Sequence, residues 1–201
     1  MVESDLHGFL KKVGTAFLLN QGCFLVDTEV PLTRFGQRRM GELDDHYVID
    51  VCGVGERLTR APRALTLEEG LGGYDCEVAQ NVLRGVEVKV SRSDFRGGLI
   101  CSGCNYHYVL TPMRLVSPWE VPRGVGLVEF NMYKFSAEST EEGRIRLRGL
   151  RVVKKASYRR VNRYQVDNAT AHILRRASEQ ALNEVLQGIR AAAPSLVYAV
   201  A

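Results

Sequence analysis

Val86-Glu87-Val88-Lys89-Val90 is the stretch on which the reading of this chain turns. Side chains alternate along a strand, so the valines take one face while Glu87 and Lys89 share the other. Upstream, Asp50 interrupts the apolar run Val48-Ile49-Asp50-Val51. Charges on inner strands are costly to bury unless they are paired or bind a metal. The two segments together therefore predict three charged groups held close to one another at the sheet. Two carboxylates and a backbone carbonyl are hard oxygen ligands of the kind Mg²⁺ takes. A lysine two residues from the carboxylate can hold an attacking water and stabilise developing charge. That set suits metal-assisted hydrolysis of a phosphodiester. An E-x-K triplet alone is more often a surface ion pair; Asp50 and the residues after Lys89 turn the balance.

Outward from this stretch, residues 6–20 carry apolar side chains at amphipathic-helix spacing, with Ser4 or Asp5 to cap the first turn and Gly22 past the end. Residues 23–30 read as a strand stopped by Pro31, and 46–54 as a second strand. Residues 55–85 have weak periodicity, with Pro62 and the Gly70–Gly73 cluster, and predict an excursion with a short helix near 77–83. A third, short strand spans 86–91, and Ser93-Asp94-Phe95 starts a helix. Further strands are expected at 106–110, 125–131 and 144–153, and a long helix at 168–192. Helix, three strands, helix, strand gives an α/β (α+β) class with a central mixed sheet and a C-terminal helix. That last helix reads as a packing helix whose broad apolar face could also serve a homodimer.

The chain has 201 residues, 45% hydrophobic and 25% charged, which excludes disorder as the main state. No apolar run approaches the roughly 18 residues of a membrane span, and the start, Met-Val-Glu-Ser-Asp, lacks a secretory profile. Five cysteines, an odd count, predict no disulfide framework and a reducing cytoplasm. Cys101-Ser-Gly-Cys104 with Cys52 and Cys76 could in principle hold zinc or an iron–sulfur cluster, but without a second CxxC they read as buried small cysteines. His46 and His107 read as packing or solvent residues, and the Gly70–Gly73 cluster lacks the Lys-Ser/Thr of a phosphate loop. The net charge of +4 becomes informative through its placement. Arg144, Arg146, Arg148, Arg151, Lys154, Lys155, Arg159, Arg160 and Arg163 follow one another without an Asp or Glu between Gly143 and Val166, with Tyr158 and Tyr164 interleaved. This is the footprint of a phosphate-backbone partner, a nucleic acid. Ser91 and Arg92, directly after the Glu-x-Lys strand, are further candidates for phosphate contact.

At these residues the chain resembles a known family. Asp50 followed by Glu87-Val88-Lys89 is similar to the signature of the PD-(D/E)XK nuclease superfamily, whose restriction-endonuclease-like core has the order αβββαβ. The run from Glu87 to Phe95 looks like the corresponding stretch of its MmcB-like DNA-repair endonuclease branch, as do residues 104–112 and 121–127. The likeness spans roughly residues 45–155 and implies a nuclease-like domain over 1–155, with 156–201 as a basic segment and helix packed on it. It implies Mg²⁺ or Mn²⁺ held by Asp50, Glu87 and the Val88 carbonyl, with Lys89 as the catalytic lysine. It further implies a DNA endonuclease in repair, recombination or phage DNA processing. One departure stands out. The family often places a glutamate within its first helix, where this chain offers His7, Lys11 and Lys12; Glu29 on the first strand is the candidate stand-in. The alternative is an inactive nuclease-fold module that binds DNA or docks a protein.

Overall fold

The computed structural model describes residues 4–33, 46–61, 76–100, 102–140 and 145–199. The chain begins with helix α1 (Asp5–Asn20), capped by the Ser4 hydroxyl, which accepts from the His7 N–H. Three strands follow, β1 (Cys23–Thr33), β2 (His46–Ala61) and β3 (Cys76–Val88), then a one-turn helix α2 (Arg92–Arg96) and strand β4 (Tyr106–Pro112). Strands β5 (Gly126–Phe130), β6 (Ser136–Ser139), β7 (Ile145–Arg148) and β8 (Leu150–Lys154) precede the long helix α3 (Arg163–Ala199). Through Pro112 the described elements thus run helix, three strands, helix, strand, and the class is mixed α/β. Six strands form one sheet in the order β1-β2-β3-β4-β5-β8. The β3–β4 and β4–β5 pairs are parallel and the rest antiparallel. Among the described residues, no helix is long and apolar enough to cross a membrane.

Each face of the sheet carries its own core. Leu10, Val13, Phe17 and Leu18 of α1 pack on Val51, Val86, Val88, Leu110 and Val128. On the other side, Val166, Ala169 and Ile173 from the first turns of α3 cover Val30, Ile49, Cys52, Leu83 and Cys104. Arg176 pins α3 further, donating to the Thr28 carbonyl at 2.7 Å and lying 3.0 Å from Asp27 Oδ2. Of the apolar face expected to pack, Leu174, Leu182, Val185 and Leu186 are all exposed.

Several local readings are corrected. β1 does not stop at Pro31 but runs to Thr33, with Pro31 opposite Val48. It is an edge strand, where a missing N–H costs no ladder bond. The expected helix near 77–83 is strand: β2 and β3 form a long ribbon registered from Val51↔Val86 out to Ala61↔Cys76. Non-local pairing overrides a weak local period. Pro62 and the Gly70–Gly73 cluster lie outside the described residues, as do Arg144 and Cys101. The single strand expected over 144–153 is two strands in different sheets, β7 against β6 and β8 against β5. Gly149 breaks it, with φ +78 and space so close to the Phe135 backbone that a Cβ would lie 2.8 Å from it.

Candidate functional site

Asp50 and Glu87 come together because β2 and β3 are neighbours in register. They sit one step beyond the registered pair Val51↔Val86, close enough for the charge of Asp50 to act on Glu87. The Val88 N–H donates to Asp50 Oδ2 at 2.7 Å, which fixes the Asp50 carboxylate against the Glu-x-Lys segment. Glu87 is 5% exposed, and its Oε2 has no hydrogen-bond partner. Burial first and the charge of Asp50 second push its carboxyl up to about 7, against the pull of Lys89. Lys89 lies just past the end of β3, where its N–H continues the ladder by donating to the Leu110 carbonyl at 3.0 Å. Its ammonium is 3.3 Å from Glu87 Oε1 and 3.3 Å from Asp94 Oδ1. Burial alone would lower its pKa, but Glu87 and Asp94 outweigh burial and hold it above the ordinary lysine range. Lys89 is therefore a cation at neutral pH, a donor rather than a base.

Asp50 reaches α1 through a fault in strand alternation. Val51 belongs to the core beneath α1, but Ile49, two residues earlier, belongs to the opposite core. A regular strand puts such residues on one side. The slip falls at Asp50, and on β1 at Glu29, which stands between the pairs Thr28↔Val51 and Val30↔Ile49 with φ +55. A non-glycine residue in the left-handed region is strained and clusters at functional sites. The slip brings Asp50 Oδ1 to 3.5 Å from His7 Nε2 and 3.7 Å from Lys11 Nζ. Lys11, only 8% exposed, also pairs with Glu29. So Glu29, the candidate stand-in, does join the group, but through a lysine that occupies the helix position where a carboxylate was sought. Sequence reasoning gave no role to Lys11, His7 or Asp94. The polar His7 and Lys11, one turn apart on a helix otherwise apolar on that side, were the available signal.

The residues suit a divalent cation in one respect. The unpartnered Glu87 Oε2, on a carboxyl whose pKa burial and Asp50 raise to about 7, is an oxygen that a cation would satisfy. Among the described residues no three His, Cys, Asp or Glu side chains form a metal-holding group. The expected set needs two such side chains, completed by a main-chain carbonyl.

The candidate DNA-contact residues divide by what they already hold. Ser91 caps α2, accepting from the Asp94 N–H at 3.1 Å. Arg92 grips both oxygens of Glu120, at 2.8 and 2.9 Å. Lys154 donates to the carbonyls of Pro118, Val121 and Pro122 at 3.3, 2.7 and 3.1 Å. Arg159 donates to the Arg123 carbonyl, and Arg151 pairs with the buried Glu129 at 2.8 Å. Lys155 and Arg160 are exposed, Arg160 at a cavity of about 750 Å³ shared with Tyr158, Asn162 and Arg163. Arg57 stacks on the Tyr158 ring at 3.9 Å. Cys52 and Cys104 are buried free thiols in contact with each other, as expected of packing residues. His107 is buried within β4 with neither ring nitrogen bonded, and burial lowers it to about 4.

No family model matches this chain, and no curated protein matches it. Among solved structures, a protein of unknown function from Silicibacter pomeroyi is similar at a TM-score of 0.45 and 17% identity, over 86% of this chain and 83% of that one.

Proposed function

We propose that this chain is a metal-dependent DNA endonuclease of the PD-(D/E)XK kind, acting in repair, recombination or phage DNA processing. The observation that carries the reading is the junction of β2 and β3. There two buried or half-buried carboxylates on adjacent strands meet a lysine held cationic two residues further on. Asp50, Glu87 and the Val88 carbonyl would hold Mg²⁺ or Mn²⁺, and the bound ion would supply a water of lowered pKa and offset charge on the phosphoryl oxygens. Glu87 must give up its proton for that role, which its pKa near 7 permits at neutral pH. Lys89, fixed between Glu87 and Asp94, donates to the attacking water or to a non-bridging phosphate oxygen. Water oxygen bonds to phosphorus as the bridging P–O bond breaks; the attacking water releases one proton to solvent and the leaving oxygen takes one up from solvent.

Nicking of supercoiled plasmid tests this. Wild type should nick in Mg²⁺ or Mn²⁺ and not in EDTA, whereas Lys89→Ala and Asp50→Ala should lose about 100-fold or more. Wild-type rates in either variant would remove the site from the chemistry. One observation favours a second reading, a DNA-binding module without catalysis: the Lys11 ammonium, with the His7 ring, stands beside Asp50, where an ion would otherwise sit. Such a module would bind DNA and show no nicking even in Mn²⁺.

A further inference from the structure

The chain contains a single tryptophan, Trp119, and it is 84% exposed. An indole left in water is unusual for a residue whose ring contributes so much to burial. More telling is how firmly the loop around it is fixed. Ser117 and Glu120 close a turn, the Glu120 N–H donating to the Ser117 carbonyl at 3.0 Å and the Ser117 N–H to Glu120 Oε2 at 2.8 Å. Lys154 ties down the carbonyls on both sides of the ring, at Pro118, Val121 and Pro122. Val116 and Val121 are buried in a core shared with Phe95 and Leu99. Prolines 118 and 122 stiffen what remains. The loop is built to hold the indole out.

Its location gives it a purpose. Glu120, next to Trp119, is bound by Arg92, three residues after Lys89, and Lys89 in turn is bound to Asp94 in the same short helix. The loop that carries Trp119 is therefore fastened, through Arg92, to the short helix that also holds Lys89. Along the loop from Met113 to Val125 the one acidic residue, Glu120, is paired with Arg92, and the remaining charged residues are Arg114 and Arg123. A rigid aromatic face among cations fits a nucleobase whose neighbours are phosphates.

We propose that Trp119 stacks on an unpaired or unstacked base beside the phosphate to be cut, so that the favoured substrate is DNA with an exposed base face, such as a flap or single strand. This rests on the endonuclease reading above and names the substrate class for it. Because Trp119 is the sole indole, its emission reports the contact directly. The test uses the whole chain carrying Lys89→Ala, so that DNA stays uncut, with binding followed by anisotropy of labelled DNA and by tryptophan emission. Flap and single-stranded DNA should quench the emission and shield it from acrylamide, and a blunt duplex should do so far less. Adding Trp119→Ala should weaken flap binding about tenfold, while Trp119→Phe should retain most of it. Flap binding by anisotropy with unchanged emission, or equal binding by Trp119→Ala, overturns the stacking role and leaves the nuclease reading standing. An emission change that follows protein concentration without DNA overturns it in favour of a contact between copies. Failure to bind any DNA overturns both.

Discussion

Lys89 and Lys154 each gather two or three oxygen partners round one ammonium, and they do opposite things. Lys89 faces the carboxylates of Glu87 and Asp94, beside a carboxylate oxygen that nothing satisfies. Lys154 faces three neutral carbonyls of one loop and serves as its fastening. In the sequence their weights are reversed: Lys154 lies in the densest run of positive charge, and Lys89 is one cation in a valine strand. The comparison teaches that a charge is available to a ligand only when its present partners are fewer or poorer than the ligand would be. Arg151 on Glu129 and Arg92 on Glu120 are likewise committed, whereas Lys155 and Arg160 stand exposed.

The sharpest way to break the first half of this comparison is through Glu87. Its carboxyl is held at about 7 in the fold against 4.5 ordinarily. Between those values the folded chain keeps a proton that the unfolded chain has released, so its stability falls as pH rises and reaches a floor above pH 7. Glu87→Gln removes that penalty. In EDTA, its advantage over wild type should be absent at pH 4.5 and grow to about 2–3 kcal/mol by pH 8, read as a rise in melting temperature. Equal stability of the two chains across that range would mean that Glu87 is not held against its charge, and the contrast with Lys154 would lose its basis.

The second half is tested at Lys154. Lys154→Met keeps the length and apolar stem but strips three carbonyls of their donor. Stability should fall by about 2 kcal/mol, with the salt dependence of DNA binding unchanged, as measured by urea denaturation and by titration at several salt concentrations. A lower salt slope with no loss of stability would show Lys154 to be a phosphate contact after all.

What was legible in the sequence follows the same division between local and non-local causes. The α1 helix, its Ser4 cap and the shared face of Glu87 and Lys89 could be read because alternation and helical spacing are properties of a few consecutive residues. The strand at 77–83 could not, since only the ladder to residues 54–60 makes it one. Nor could the break at Gly149, which follows from contact with the Phe135 backbone. Lys11 is the clearest case at the site. As a helix residue it reads as one more surface cation, and it becomes a buried partner of Asp50 and Glu29 only because both strands slip at the same level and turn toward α1.

The smallest expected effect completes the comparison. Lys155, Arg159 and Arg160 are the exposed members of the basic stretch that stood among the candidate DNA contacts, and of these Arg159 is committed to the Arg123 carbonyl. If availability decides function, Lys155 and Arg160 should carry phosphate binding that Lys154 and Arg159 cannot. The double variant Lys155→Ala, Arg160→Ala should leave stability within about 0.5 kcal/mol. Its DNA affinity at low salt should fall several-fold, and the slope of log affinity against log salt should flatten by about 2, one for each phosphate no longer neutralised. The effect should be the same for every DNA sequence, because a backbone contact carries no base information. A flattened slope for this pair, set against an unchanged slope for Lys154→Met, would place the electrostatic interface on the exposed side of the connector. An unchanged slope in both would move the DNA path off this stretch altogether, toward the loop of Trp119.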